Sequence, residues 1–278
     1  MSDLSPLVKL ANVGKTYSGG ATALAGLDLD LSPGEFVSLL GPSGCGKSTA
    51  LRLIAGLSQP TGGTIERAWD AAAQQPRAGV DCRVTWTQPL GCVFQDPTLL
   101  PWTSIWNNVY LPLRLRGVSK RAARAHVDEV IALVGLSGFA RSYPRELSGG
   151  MKMRASVARA LVTQPRLLLL DEPFAALDEI TRMRLNDDLL SLWRERQFGV
   201  LFITHSVFES IYLSTRVLVM AARPGRVIEE IVVDLPAVRT GETRTSPRYL
   251  ELCRRASSAL ERAMTDQGSQ AARVGRLA

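Results

Sequence analysis

The chain has 278 residues, of which 46% are hydrophobic and 21% charged, a composition that supports a sizeable core and excludes a globally disordered protein. No apolar run approaches the roughly 20 residues that span a bilayer as a helix, and no basic stretch followed by an apolar one marks a secretory signal. The formal charge of +7 is spread along the chain without basic runs interleaved with aromatic residues. A solvated basic surface is therefore predicted ahead of membrane-surface attraction, and no nucleic acid partner is expected.

A glycine-rich segment, GPSGCGKST at 41–49, is the first motif along the chain. It follows the apolar run 36–40, which predicts a buried strand, and precedes a helical pattern that ends at Gly56. Strand, glycine-rich turn and helix is the context of a phosphate-binding loop, because glycines let several backbone N–H groups converge on one anion and the helix start adds a favourable partial charge. We expect Lys47 to reach the β- and γ-phosphates and Ser48 to ligate Mg²⁺.

The residues of this loop that are predicted to bind nucleotide are Gly41, Pro42, Ser43, Gly44, Cys45, Gly46, Lys47, Ser48 and Thr49. The alternative is a glycine-rich turn that merely connects a strand to a helix. A chance match to the pattern in a chain of this length is on the order of 1%, which favours the phosphate loop.

Between Gln95 and Ser148 the chain is predicted to be mostly helical. A charged segment after Ser119 leads to apolar residues at i, i+3, i+4 and i+7 spacing, namely Val127, Val130, Ile131 and Val134.

An acidic pair, Asp171 and Glu172, follows the four-leucine run 167–170. The run suits a strand buried on both faces of a parallel sheet, and the carboxyl end of such a strand is where α/β proteins bind ligands. We expect Asp171 to hold Mg²⁺ and Glu172 to position and polarise an attacking water. A strand that ends in a solvated acidic turn is the alternative, and the phosphate loop upstream weighs against it.

Two further core strands are predicted at 200–204 and 217–220, followed by a last helix with Ser246 as its cap and Pro247 in its first turn. Four side chains recur at helical spacing along that helix, namely Leu252, Ala256, Leu260 and Met264. Packing on the core is predicted for them ahead of a partner-binding role.

Several short patterns appear in a fixed order around these motifs: KTY at 15–17, VFQD at 93–96, LSGGM at 147–151, ALD at 176–178 and ITH at 203–205. Over roughly residues 7–230 the chain resembles the ATP-binding subunit of an ABC transporter. The resemblance implies an α/β P-loop NTPase (RecA-like) core with an N-terminal antiparallel β subdomain and an inserted helical subdomain. It places the ATPase domain at 7–235, the helical subdomain at about 97–157, and a C-terminal helix and tail at 236–278.

The resemblance also implies residue roles for ATP and Mg²⁺. Tyr17 would stack on adenine, and Asp178 would belong to the D-loop that passes across a dimer of two such chains. The signature residues that would contact the ATP of the partner chain are Ser148, Gly149 and Gly150. The residues assigned to catalysis are Glu172, His205 and Gln95, and those assigned to Mg²⁺ are Ser48, Gln95 and Asp171.

Each of these roles has a structural alternative. Tyr17 could be a half-buried surface tyrosine, Gln95 a polar strand end and Asp178 a helix cap. His205 could be structural, and the other histidine, His126, is expected to be exposed in a charged helix. The joint order of the patterns favours the functional reading.

The sequence departs from the family pattern at two places. Met151 replaces the usual glutamine of the signature, and residues 67–90 form an enlarged loop where the family has a compact hairpin. We assign no function to either feature.

Segments at 99–102, 107–109 and 111–113 resemble importers of the nitrate, sulfonate and taurine group. Segments at 178–182, 185–189 and 205–210 are similar to one branch of that group, some members of which are assigned to thiamine-precursor pyrimidines. The implied partners are a second copy of the chain in a head-to-tail dimer, integral membrane permease subunits and, indirectly, an extracytoplasmic solute-binding protein. The implied location is peripheral, on the cytoplasmic face of the inner membrane, and four cysteines without CxxC or zinc spacing agree with a reducing cytosol.

Two alternatives remain open from the sequence. A soluble ABC ATPase without a transport role would share the ATPase motifs. The aromatic segment 101–106 could either dock to a membrane partner or pack within the helical subdomain.

Overall fold

The computed structural model describes residues 5–70 and 89–274, so most of the segment 67–90, which the sequence predicts to be an enlarged loop, lies outside the described residues. The strands are β1 (Val8–Thr16), β2 (Thr22–Leu31), β3 (Phe36–Leu40), β4 (Gly62–Arg67), β5 (Leu90–Val93), β6 (Leu167–Asp171), β7 (Gly199–Thr204), β8 (Arg216–Ala221) and β9 (Arg226–Val232). The α-helices are α1 (Lys47–Ile54), α2 (Ile105–Leu115), α3 (Lys120–Leu133), α4 (Gly149–Leu161), α5 (Glu179–Arg196), α6 (Val207–Leu213) and α7 (Pro247–Val274).

The chain forms two compact units, one made of Met1–Asp70 with Gly199–Ala278 and the other of Ala71–Phe198. In the first unit, β1 pairs antiparallel with both β2 and β4, giving the order β2-β1-β4. This sheet is the antiparallel β subdomain that the sequence predicts. Alternate residues of β2 are buried, which is the pattern of a sheet with one face on a core.

A second sheet of the first unit contains β7, β3, β8 and β9 in that order, with β9 antiparallel to its neighbour and the others parallel. Every residue of β3 and β7 is buried, which explains their continuous apolar sequence. The strands predicted at 36–40, 200–204 and 217–220 are therefore confirmed within one or two residues.

The second unit combines the parallel pair β5 and β6 with helices α2 to α5. Each of these helices begins at a polar residue whose side chain accepts a hydrogen bond from the backbone N–H three residues on, and these caps are Ser104, Ser119, Ser148 and Asp178. Short 3₁₀ turns at Ser137–Phe139 and Pro144–Glu146 connect α3 to α4. The predicted helical segment before the signature motif is confirmed.

Helix α7 packs through a buried stripe that only partly matches the predicted one. Leu252 and Ala256 are buried as expected, but Met264 is 55% exposed, and Ala259 and Ala263 take the inner positions instead. The predicted i, i+4 ladder drifts around the helix because 3.6 residues complete a turn, so the fourth member leaves the buried face. Within the described residues, no helix combines the length and apolar character needed to cross a membrane.

Candidate functional site

The glycine-rich loop joins β3 to α1 in the first unit, as predicted. Gly44 and Gly46 have positive φ angles of 78° and 93°, and Gly46 caps α1 without a side-chain hydrogen bond. A Cβ atom at Gly46 would lie 2.6 Å from Leu24 Cδ2 and 2.8 Å from the Ala23 carbonyl oxygen, so only glycine fits there. The loop therefore brings backbone N–H groups to an uncapped helix start, which is an anion-binding arrangement.

Lys47 lies inside this loop with 4% of its side chain exposed. Its Nζ donates hydrogen bonds to the carbonyl oxygens of Gly41 at 2.8 Å and Pro42 at 3.0 Å. The neighbouring Cys45 Sγ is 3.9 Å away, and burial raises the pKa of its thiol despite the opposing charge of Lys47. A buried cation within a curled glycine loop fits a phosphate chain, so the residues present are suited to the predicted nucleotide.

Tyr17 is brought to the same loop from the end of β1. Its hydroxyl lies 3.2 Å from Thr49 Oγ1, and Lys15 Nζ lies 5.5 Å from the ring centroid. The ring itself is 43% exposed. An exposed aromatic face next to a phosphate loop can stack on a planar base.

His205 lies next to the phosphate loop in the first unit. β3 and β7 are parallel and pair Leu40 with Thr204, so the loop and His205 leave the same edge of the sheet one residue later. Thr204 Oγ1 donates a 2.6 Å hydrogen bond to Glu209 and accepts one from the Ser206 N–H, which fixes the turn around His205. His205 is exposed at this turn.

In the second unit, parallel strands bring two further predicted motifs to one edge. β5 and β6 pair Val93 with Leu170, so Gln95 and the acidic pair Asp171–Glu172 follow neighbouring strand ends. The carboxyl edge of parallel strands is the usual ligand edge of an α/β sheet. The polar oxygens of Gln95 and Asp171 are hard ligands of the type that Mg²⁺ prefers, so this edge is chemically suited to the predicted metal.

Glu172 has a left-handed backbone conformation, with φ at 46°. Non-glycine residues adopt this region rarely and at a cost of about 1–3 kcal/mol, and such residues cluster at functional sites. The Ala175 N–H donates to the Glu172 carbonyl oxygen and closes the turn that holds this conformation. Sequence patterns did not reveal this strain, because nothing in the letters DEP distinguishes it from an ordinary acidic turn.

The signature residues begin helix α4. Ser148 caps the helix by accepting a hydrogen bond from the Met151 N–H at 3.3 Å, and it is exposed together with Gly149. Gly150 is buried, and a Cβ atom there would lie 2.7 Å from Thr181 Cγ2. The start of α4 thus offers an exposed hydroxyl and helix N–H groups to an anion, while Gly150 lets the helix approach α5 closely.

Asp178 caps α5 by accepting a hydrogen bond from the Thr181 N–H at 3.0 Å. This hydrogen bond lowers the pKa of the Asp178 carboxyl, which is fully exposed. The helix-cap alternative is therefore confirmed, and the D-loop role stays a prediction that is compatible with this exposed cap.

Two features of the second unit were missed or left open by the sequence. Arg159 of α4 donates to the backbone carbonyls of Pro97 and Thr98, each at 2.8 Å, just after Gln95. The two tryptophans of the aromatic segment 101–106 differ in their surroundings. The Trp106 indole N–H donates to the Asp128 carboxylate at 2.7 Å, whereas Trp102 is 74% exposed.

The expectation that His126 is exposed was wrong. The ring is half-buried and its Nε2 lies 2.9 Å from the Val162 carbonyl oxygen. This oxygen belongs to the last turn of α4, where a ring nitrogen satisfies one of the carbonyl groups that a helix end leaves without a partner. A charged helix sequence could not show which of its faces meets that helix end.

Comparison with known proteins agrees with this geometry. The family profile described as "ABC transporter" matches residues 24–175. A Brucella abortus ATP-binding protein is 44% identical over 268 residues, covering 96% of this chain and 98% of its own length. The taurine import ATP-binding protein of Rhizobium johnstonii is 44% identical over 243 residues, covering 85% of this chain and 88% of its own. An aliphatic sulfonates import ATP-binding protein of Bacillus subtilis is 38% identical over 244 residues, with 87% and 88% covered.

Two solved structures are similar in fold. The cbiO1 protein of Clostridium perfringens, described as part of an ABC transporter complex, gives a TM-score of 0.69 at 27% identity and covers 81% of this chain and 88% of its own. A dimeric ATP-binding cassette in a post-hydrolysis state with ADP and Pi gives a TM-score of 0.68 at 32% identity and covers 82% of this chain and all of its own. The chain belongs to the ABC transporter family, as an ATP-binding and ATP-hydrolysing cassette of the P-loop NTPase fold.

Proposed function

We propose that this chain is the ATP-hydrolysing subunit of an ABC importer for a small solute. The observation that carries the proposal is the pairing of strand ends in each unit. One pair of neighbouring strands presents the phosphate loop and His205, and the other presents Gln95 with Asp171 and Glu172. The relatives named for taurine and aliphatic sulfonate import support an importer and favour a sulfonate-like cargo.

In this proposal each residue has one task. The loop N–H groups and Lys47 bind the phosphate chain, and Tyr17 supports the base. Glu172 accepts the proton of the attacking water, and His205 donates a hydrogen bond to the γ-phosphate. Ser48, Asp171 and Gln95 would hold Mg²⁺, which when bound neutralises negative charge on the phosphate oxygens. Holding the water and phosphate in line supplies the remaining acceleration.

The proposed assembly is a head-to-tail dimer in which Ser148, Gly149 and Gly150 of one chain contact the nucleotide held by the other. Asp178 would lie along that interface. The dimeric ATP-binding cassette found by comparison supports this arrangement. Permease subunits and an extracytoplasmic binding protein would complete the transporter, with this chain peripheral on the cytoplasmic side and its domains divided at 7–235 and 236–278 as the sequence predicts.

The variant Glu172→Gln tests the catalytic role. It keeps the size of the side chain and one acceptor oxygen but cannot accept a proton, so we expect ATP binding to persist while turnover falls by about 10²–10⁴-fold. ATP hydrolysis and dimer mass by light scattering should show an inactive, closed dimer. Glu195→Gln changes an exposed carboxylate at the end of α5 and serves as the matched control. Turnover at the wild-type rate in Glu172→Gln would contradict the proposal that Glu172 accepts the proton of the attacking water.

Co-purification tests the transport role separately. The tagged chain, isolated from detergent-solubilised membranes, should carry a hydrophobic permease, and the complex should hydrolyse ATP. Hydrolysis with only soluble partners would instead favour the non-transport ABC ATPase.

A further inference from the structure

Arg159 connects helix α4, the signature helix, to residues 96–104, the segment that follows Gln95. It lies near the end of α4, whose first turn carries Ser148 and Gly149. Its guanidinium donates to the Thr98 carbonyl oxygen at 2.8 Å, to the Pro97 carbonyl oxygen at 2.8 Å and to Thr98 Oγ1 at 2.9 Å. The planar fork of arginine matches two adjacent backbone acceptors in a way that a lysine cannot.

This arginine is held by neutral oxygens. A fourth contact goes to Ser156 Oγ at 3.4 Å on the same helix. Burial lowers the pKa of the guanidinium, so desolvating it carries a cost that these neutral acceptors only partly offset.

The segment that Arg159 holds is locally strained. Thr98 has a φ of 47°, a left-handed conformation that a β-branched residue rarely adopts. Strain of about 1–3 kcal/mol persists only where the surroundings fix it, and Arg159 binds both the carbonyl and the hydroxyl of this residue.

The next turn of the segment is fixed from another helix. The buried amide of Asn108 on α2 accepts from the Leu100 N–H at 2.7 Å and donates to the Leu100 carbonyl oxygen at 3.2 Å. It also donates to the Ser104 carbonyl oxygen at 3.1 Å. Asn108 thus anchors the far end of the segment on α2, while Arg159 is the anchor nearest to Gln95.

We propose that Arg159 is a positioning residue that ties Gln95 to the signature helix. Pro97 is two residues from Gln95, so the fork at Pro97 and Thr98 limits where the glutamine can lie. Because the same helix begins with Ser148, a displacement of the signature is carried to Gln95 through Arg159. The inference rests on the proposed role of Gln95 in ATP hydrolysis and assigns no contact between Arg159 and the nucleotide.

A purely structural role for Arg159 is the competing explanation, and a double-mutant cycle separates the two. Arg159→Met keeps the apolar stem and removes the fork. If Arg159 acts through Gln95, we expect kcat to fall by about 10- to 100-fold in the wild-type background, since small misplacements of catalytic groups cost that much. In a Gln95→Ala background the same change should alter the rate less than about twofold, because the group it positions is already gone.

The control variant is Arg154→Met on the same helix. Arg154 is also half-buried, and it forms a 2.7 Å ion pair with Asp188 of α5 that the variant would lose. Its ion pair lies away from the segment after Gln95. It should lower the thermal midpoint without lowering kcat by more than about twofold. Arg159→Lys should recover part of the rate, and the ATP KM should stay within about twofold in all of these variants because the phosphate loop is unchanged.

Single-turnover assays with the full-length chain in excess over labelled ATP keep the slow Gln95→Ala background measurable. An equal loss from Arg159→Met in both backgrounds, or a similar kcat loss in Arg154→Met, would overturn the inference. Lys47→Ala is the check on the proposed function itself. If Lys47→Ala still hydrolyses ATP, the ATPase assignment of the loop is wrong. If Lys47→Ala loses ATP hydrolysis but Arg159→Met lowers the rate equally in the wild-type and Gln95→Ala backgrounds, only the positioning role of Arg159 is rejected.

Discussion

At the scale of single residues, the two glycines of the signature have different surroundings. A Cβ atom at Gly149 would meet Leu177 Cδ2 at 3.5 Å, an ordinary contact distance, so the fold has room for alanine there. At Gly150 the nearest atom, Thr181 Cγ2, would be 2.7 Å away and would have to move. The packing of the fold therefore does not require glycine at position 149, whereas Gly150 allows α4 and α5 to approach closely.

Alanine at each position gives a direct comparison. Both changes gain a similar helix propensity, up to about 1 kcal/mol, but only Gly150→Ala creates a clash that costs about 1–3 kcal/mol. We expect Gly150→Ala to unfold at the lower temperature in thermal denaturation, and Thr181→Ser, which removes the opposing methyl group, to restore it. Gly149→Ala should fold normally but hydrolyse ATP slowly. Equal melting temperatures for the two alanine variants would contradict this account.

At the scale of elements, the C-terminal segment holds the helix that follows His205. Arg239, buried after β9, donates to the Tyr212 carbonyl oxygen at 2.6 Å and to the Ser214 carbonyl oxygen at 2.9 Å at the end of α6. Burial lowers the pKa of this guanidinium to about 10. From α7, the Tyr249 hydroxyl donates to the Phe208 carbonyl oxygen at 3.1 Å. The last helix therefore packs on the core, as predicted, and does so at α6, the helix that follows His205.

This packing makes α7 sensitive to alkali. Burial raises the pKa of the Cys253 thiol from 9.0 to about 11, so the folded state binds more protons than the unfolded state between those values. The resulting stability is fully present below pH 9 and is lost as pH rises towards 11, by about 1–2 kcal/mol. Denaturant titrations at pH 8 and pH 11 should show this loss, and Cys253→Ala should reduce it.

Ser257→Ala on the same helix removes no titrating group and is the control for that measurement. A Cys253→Ala chain that loses as much stability between the two pH values as the wild type would place the alkaline sensitivity elsewhere. Burial also raises the pKa of Tyr249, so a residual loss in the variant is expected from that phenol.

At the scale of the whole molecule, each chain carries one phosphate loop and one signature. In the proposed head-to-tail dimer, Lys47 of one chain and Ser148 of the other serve the same nucleotide. A dimer that combines a Lys47→Ala chain with a Ser148→Arg chain would contain one site with both defects and one site with neither.

Mixing the two inactive variants should therefore restore ATP hydrolysis. Equal amounts give half heterodimers with half of their sites intact, so we expect about a quarter of the wild-type rate if the sites act independently. Light scattering with differently tagged chains measures the heterodimer fraction. Full activity of either variant alone, or no recovery once heterodimers are present, would contradict the composite site.

The sequence predicted most of the core because its local patterns and its ligand motifs agree. The apolar run 36–40 and the loop after it specify strand, turn and helix independently of the rest of the fold. Residues Asp171 and Gln95 could be placed for the same reason, since each follows a short apolar strand.

Long-range contacts were beyond the same patterns. Nothing in the sequence distinguishes Arg159 from the other arginines on helices. Its acceptors are backbone carbonyls about sixty residues away in sequence, and every residue has such a carbonyl whatever its side chain. The inner stripe of α7 was misjudged at Met264 because residues spaced four apart rotate gradually off the buried face of a helix, and Ala263 takes the inner position instead.

The left-handed backbone at Glu172 has a consequence for anyone who engineers this chain. Glycine or asparagine adopts that conformation at less cost, so a search for heat-tolerant variants guided by backbone strain would rank position 172 among the first to change. The most rewarding substitution by that criterion would discard the carboxylate proposed to activate water. Screening for thermal tolerance alone would thus enrich inactive enzyme, and selection should couple heat challenge to an assay of ATP hydrolysis.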